Sequence, residues 1–189
     1  MKYDIILAGV GGQGVLSIAA IIASAAMKDG LQVRQSEVHG MSQRGGGVQA
    51  HLRLSDTNIA SDLIPMGKAD MILAMEPVES LQYLKWLSPK GALITAAEPF
   101  VNIPNYPDVE KIYSAIKSLP SSKIVKSADL AKEAGNIKCE NMVLIGAALE
   151  YMPVKKETVV SAVHDRFAAK DPALVEANIK ALELGSENK

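Results

Sequence analysis

The chain is poor in thiols: Cys139 is its single cysteine. One thiol closes no internal disulfide. Nor can it hold an iron–sulfur cluster unaided, because such clusters take about four thiolates. A lone cysteine of this kind reads as a small buried hydrophobe. Aromatic residues are scarce at 4%, although hydrophobic residues reach 48%. The apolar content is therefore built from Ala, Ile, Leu, Val and Met, which suits helices packed closely on a sheet, or an apolar face offered to a partner. Charge of either sign is not in excess: 20 basic residues stand against 21 acidic ones, for a net charge of −1. Without clustered Lys or Arg, neither nucleic acid nor an anionic membrane surface is an expected partner. Long apolar runs are missing too. The first is interrupted at Gly9, short of what a signal peptide needs. The segment 16–27 is too short and too broken by Ser to span a bilayer. The expectation is a soluble, cytoplasmic protein. At 189 residues it reads as a single domain over 1–189, able to fold without disulfides or metals.

The periodicities point to an α/β fold. Tyr3 to Ala8 reads as a short buried strand, Gly9 to Gly14 as a tight loop, and Leu16 to Lys28 as a helix stopped at Asp29-Gly30, with Gly30 as left-handed cap. Leu31 to Val38 returns as a second strand, completing a β-loop-α-β unit expected to be parallel and right-handed. Val48 to Leu54 alternates, so one face is buried and His51 is expected to point outward. Strands two and three are close enough in sequence to pair antiparallel, which would make the sheet mixed. Further on, Asp70 to Met75 is a strand and Pro77 opens a helix to about Leu87. Ser88 to Gly91 reads as a turn before a strand at 92–96. Glu98 to Pro107 is a proline-rich loop. A helix at 108–118, a strand at 123–125 and a helix at 128–134 follow. Asn141 to Tyr151 is apolar nearly all round, which requires burial in the core or against a partner. Two amphipathic helices close the chain, the second capped by Asp171, started by Pro172 and ended by Gly185. The architecture expected is three-layer α/β/α, with a parallel or mixed sheet and a Rossmann-like glycine-rich start.

Two loops carry the candidate chemistry. Gly9-Val10-Gly11-Gly12-Gln13-Gly14 matches G-x-G-x-x-G between a strand and a helix. There Gly11 permits a tight turn close to an anion, Gly14 lets the helix begin close to the sheet, and first-turn amides are available as donors. Glu37 lies about 20 residues on, where a dinucleotide site would place its ribose-binding acid, so a stand-alone NAD- or flavin-binding protein is the alternative reading. The bland reading is a tight turn and nothing more. The second loop, Ser36-Glu37-Val38-His39-Gly40-Met41-Ser42-Gln43-Arg44-Gly45-Gly46-Gly47, gathers hydroxyl, carboxylate, imidazole, amide and guanidinium groups on a glycine-rich backbone. Both loops leave the same sheet edge if their strands are parallel, and open α/β sheets bind ligands at that edge. Arg44 has the planar fork that suits a phosphate or carboxylate. His39 and His51 have no third His or Cys at workable spacing and are not expected to bind metal.

Gly11-Gly12-Gln13-Gly14-Val15, followed by Ser36-Glu37-Val38-His39-Gly40-Met41-Ser42-Gln43-Arg44-Gly45-Gly46, resembles the gamma-type subunit of 2-oxoacid:ferredoxin oxidoreductases. The second loop looks most like that of the beta subunit of indolepyruvate:ferredoxin oxidoreductase. Asn141-Met142-Val143-Leu144-Ile145-Gly146-Ala147 and the stretch from Asn178 to Gly185 fit the same family, so the resemblance spans nearly the whole chain. It implies a complex that decarboxylates a 2-oxoacid on thiamine diphosphate with Mg²⁺. Electrons then pass through 4Fe-4S clusters to ferredoxin, and the acyl group to coenzyme A. The single cysteine and the missing Gly-Asp-Gly…Asn signature for thiamine diphosphate assign those cofactors to a large (alpha) subunit. No catalytic residue is expected on this chain alone. What the resemblance leaves for it is to complete the active-site cleft, its two loops contacting coenzyme A or the bound intermediate.

Overall fold

The computed structural model describes residues 1–39, 45–101, 103–169 and 171–188, with His39 described by its backbone alone. A six-stranded sheet runs in the order β2-β3-β1-β4-β5-β6. The strands are β1 (Lys2–Val10), β2 (Gln32–His39), β3 (Gly47–Ser55), β4 (Ala69–Ala74), β5 (Leu87–Ala96) and β6 (Ser122–Val125). β3 pairs antiparallel with both β1 and β2, while β1-β4, β4-β5 and β5-β6 are parallel. The sheet is mixed. β2 does run parallel to β1, as the expected β-loop-α-β unit requires, but β3 is inserted between them. The short link across the second loop lets β3 form an antiparallel hairpin with β2, and this local pairing occupies the place beside β1.

One face of the sheet is covered by α1 (Val15–Lys28), α4 (Ser127–Glu133), α5 (Glu140–Ala148), α6 (Lys156–Phe167) and α7 (Pro172–Glu187). The other carries α2 (Pro77–Gln82), α3 (Val109–Lys117) and the segment 56–68. β1 shows why the layers form: Ile5 and Leu7 enter the first core while Ile6 enters the second, so the strand is apolar without alternation. α1 ends as expected. Gly30 has φ 81°, and the Leu31 and Gly30 N–H groups bond the carbonyls of Ala26 and Met27. α5 is buried on every side within this chain, against α1, α4, α7 and β5.

Four expectations need correction. The helix opened by Pro77 stops at Gln82, and a 3-10 turn at 84–86 leads into β5, which already includes the 88–91 stretch read as a turn. The misread Pro89 and Gly91 sit where the β4–β5 register shifts between Ala69 and Met71. Gly185 does not end α7, which continues to Glu187. A Cβ there would lie 2.0 Å from the Val143 carbonyl oxygen, and one on Gly146 would lie 2.1 Å from that of Leu182. The two glycines serve a close crossing of α5 and α7. Finally, His51 does not face water. It is 4% exposed and Arg53 8%, because segment 56–68 covers that face of β3.

Arg53 anchors the cover. Its Nε and Nη2 donate to Asp4 Oδ1 at 2.8 Å and Oδ2 at 3.1 Å, and its Nη1 donates to the carbonyls of Ser61 at 2.9 Å and Leu63 at 2.8 Å. His51 Nδ1 accepts from Ile64 N–H at 2.9 Å, so the ring proton sits on Nε2, 2.5 Å from the Gln49 carboxamide. Burial, helped by the Arg53 charge and opposed by Asp4, lowers the His51 pKa. The unfolded chain then binds the proton more readily. Stability contributed by neutral His51 is full above the ordinary value of about 6.5 and is lost as pH falls towards the lower folded value. His51→Gln should therefore flatten the acid limb of a stability–pH curve below about pH 6.5. An unchanged limb would show that the histidine is not responsible.

Candidate functional site

The site forms where the chain changes direction across the sheet. From β1 it travels one way through α1 to β2, and β4 lies on the other side, so the carboxyl ends of β1 and β4 flank a topological switch point. A cleft of about 450 Å³ opens there, with Gly12, Gln13 and Gly14 on one wall and Glu98, Glu140 and Asn141 on the other. A smaller hollow of about 270 Å³ lies across the glycine loop, between the start of α1 and Val48 of β3.

The glycine loop is held by its own side chain. Gln13 Oε1 accepts from Val10 N–H at 2.7 Å, and Gln13 Nε2 donates to the Met75 carbonyl at 3.2 Å. The carboxamide thus ties the end of β1 to the end of β4 and is committed to backbone. Gly12 takes φ 103° in open space, so its requirement is conformational. Gly14, at φ 81°, is required for the same reason, and a Cβ there would also displace the Asn141 carboxamide, whose Nδ2 lies 2.3 Å from that position. Asn141 donates to the Gly14 carbonyl at 3.3 Å, joining the start of α5 to the start of α1. Within α1, Ser17 and Ile18 N–H groups bond Gly14 O, no acid occupies the first turn, and the preceding amides stay unpaired within the helix. That arrangement accepts an anion.

The second loop meets the first at its C-terminal root. Gly11 N–H donates to Gly46 O at 2.8 Å, and Gly45 N–H donates to Gly11 O at 3.4 Å. Because β1 and β2 are parallel, both loops leave the same sheet edge. Ser36 is half-buried opposite His51, and Glu37 is exposed and accepts from Gln35 at 2.5 Å. Gly40, Met41, Ser42, Gln43 and Arg44 lie outside the described residues, as does the His39 side chain. The NAD-type arrangement asks for its acid on the strand next to the glycine loop. Glu37 is one strand further out, roughly 10 Å from β1 at ordinary strand spacing.

Several groups at this edge were not singled out by sequence. Glu98 accepts from Ser127 Oγ at 2.9 Å and Ala128 N–H at 3.1 Å, and Ser127 also reaches Glu140 at 3.4 Å. Burial and then the Glu98 charge raise the Glu140 pKa, against the Ser127 hydrogen bond. The edge therefore offers amide donors at the glycine loop and carboxylate acceptors across the cleft, which suits a ligand bearing phosphates at one point and hydroxyl or amino groups at another. Glu76 and Glu79, at the end of β4, form a buried acidic pair beside Gly47. Nothing in the local pattern Glu-Pro-Val-Glu distinguishes them from an ordinary capped helix start.

Among the described residues, the donors present do not fit either implied metal cofactor. Cys139 is buried, and burial raises its pKa, which leaves it an inert thiol. Among the described residues no group of three or more His, Cys, Asp or Glu could hold a metal ion. Among them, too, no helix is long and apolar enough to cross a membrane.

Comparison with known proteins identifies the family. The family described as pyruvate ferredoxin/flavodoxin oxidoreductase matches residues 4–188. Indolepyruvate oxidoreductase subunit IorB of Pyrococcus horikoshii is 38% identical over 97% of this chain and 94% of its own length. The keto/oxoacid ferredoxin oxidoreductase gamma subunit of Geobacter sulfurreducens superposes with a TM-score of 0.72 at 28% identity, covering 98% of this chain and 96% of that one. The fold also occurs within 2-oxoglutarate:ferredoxin oxidoreductase of Magnetococcus marinus, at TM-score 0.77 and 22% identity. There 98% of this chain matches 30% of that longer chain. With residues 4–188 matched by the family and a relative 38% identical over nearly the full length, the chain belongs to the pyruvate ferredoxin/flavodoxin oxidoreductase family.

Proposed function

We propose that this chain is the small subunit of an indolepyruvate-type 2-oxoacid:ferredoxin oxidoreductase, which converts aryl 2-oxoacids to acyl-coenzyme A and passes the electrons to ferredoxin. Thiamine diphosphate, Mg²⁺ and the 4Fe-4S clusters belong to a large partner subunit in this reading, since one buried thiol supports no cluster and the sequence lacks the Gly-Asp-Gly…Asn signature for thiamine diphosphate with its Mg²⁺. The observation that carries it is the junction of the two loops, Gly11 N–H on Gly46 O at 2.8 Å. It joins the C-terminal root of the second loop to the glycine loop, whose helix-start amides suit phosphate. Coenzyme A is the phosphate-bearing co-substrate of this chemistry, and we assign the junction to it, with Arg44 as the second-loop cation. In the complex assembled from both subunits, Arg44→Ala should weaken coenzyme A binding about 10-fold or more by isothermal titration, as expected for loss of a charge-assisted contact. Unchanged affinity would remove coenzyme A from this edge.

A further inference from the structure

Glu79 is the carboxylate that the proposed function leaves unused. It is 7% exposed, on α2, and its Oε2 has no hydrogen-bond partner. That oxygen lies 3.0 Å from where a Cβ on Gly47 would stand, so it is pressed against the root of the second loop. Its other oxygen accepts from Gln82 Nε2 at 3.0 Å. Among the described residues, the titratable groups that face it are all acidic. Glu76 caps α2, with Oε2 accepting from Glu79 N–H at 2.8 Å and Oε1 accepting from Tyr106 Oη and Phe100 N–H. Tyr83 follows the helix, and Tyr106 comes from the 98–108 loop. Both phenols have raised pKa values, through burial first and with the Glu79 charge contributing. From β1, β4, β5 and α3, which pack against α2, no described residue brings a cation to it, and Lys85, on the 84–86 turn that also packs there, lies over the Trp86 ring.

The geometry points to Glu79 as a proton-held latch: its neutral carboxyl lets the Gly11–Gly46 junction close over it, and its ionisation opens that junction. A buried carboxylate with one donor, beside a second carboxylate, is costly, and it lies directly against Gly47, next to the residue whose carbonyl closes the junction. Burial, followed by the Glu76 charge and against the Gln82 hydrogen bond, raises the Glu79 pKa to about 7. Opening that solvates the group returns it towards the ordinary 4.5. The closed state therefore holds the proton that the open state gives up. Closure is favoured below about 4.5, weakens through the interval up to about 7 and changes no further above it. This reading concerns the chain's own residues and stands whether or not the ligand is coenzyme A.

Amide hydrogen exchange of the full-length chain tests it, read at the Gly11 N–H against the isosteric Glu79→Gln, which carries no titrating proton. The ratio of wild-type to variant exchange rates should rise about tenfold per pH unit between about 4.5 and 7 and then level off. A ratio independent of pH across that interval overturns the latch. A second readout does not depend on the variant's folding: the protonated-carboxyl stretch in the infrared spectrum of the wild type. If no carboxyl titrates near 7, the proposal also fails.

Discussion

Gly185→Ala should lower folding stability by about 2 kcal/mol or more, the opposite of what helix propensity alone would give. In an exposed helix the same change gains about 1 kcal/mol. Here the new methyl would stand 2.0 Å from the Val143 carbonyl oxygen and 2.8 Å from its carbonyl carbon. Backbone atoms cannot rotate aside as a side-chain tip can, so α5 and α7 must separate. Separation opens gaps along a core that includes Met142, Val143, Ala181 and Leu182. Overpacking of this kind costs roughly 1–3 kcal/mol, sometimes more, and outweighs the propensity gain. Gly146→Ala should behave alike, and the double variant should lose less than the sum, because either methyl alone forces the helices apart. Urea denaturation decides the matter. A Gly185→Ala midpoint equal to or above that of the wild type would mean the helices do not cross as closely as described.

Arg53→Ala carries the other large effect, a loss of about 3–5 kcal/mol. It strands fully buried Asp4 without its bidentate partner and removes the donor shared by Ser61 O and Leu63 O. Half-exposed Lys2 still reaches buried Asp4 at 2.8 Å, but it replaces neither the bidentate contact nor the donor to Ser61 and Leu63. In an Asp4→Asn background the same substitution should cost clearly less, since no uncompensated charge remains. Loss of amide protection should appear first in segment 56–68, which Arg53 holds over the sheet. Similar losses in both backgrounds would show that packing of the arginine stem, rather than charge pairing, dominates.

Legibility from sequence followed the range of the forces involved. Strands with unbroken apolar runs, the Gly30 cap and the Asp171-Pro172 start were readable, because each is decided within a few neighbouring residues. The antiparallel insertion of β3 was readable as an option only, since hairpin pairing competes with the parallel crossover and the tertiary balance decides. His51 was misplaced for a related reason. Period-two alternation shows that a strand has two faces, but it does not show that a distant coil will cover the polar one. Gly185 illustrates the same limit, as a glycine near a helix end reads as a stop until its crossing partner Gly146 is known. At the site, the glycine motif was visible and Gln13's role was not. A glutamine looks like a ligand donor until its amide is found tying Val10 to Met75. Glu79 gave no local signal, because its distinction arises from what surrounds it.

The dependence of this chain on a cofactor-bearing partner is tested most directly by reduction of viologen with indolepyruvate and coenzyme A, assayed with each subunit alone and after co-purification. Reduction should require both subunits, with this chain alone showing none and retaining no iron. Turnover of the 2-oxoacid by this chain alone, or full activity of the large subunit without it, would contradict the role assigned to it.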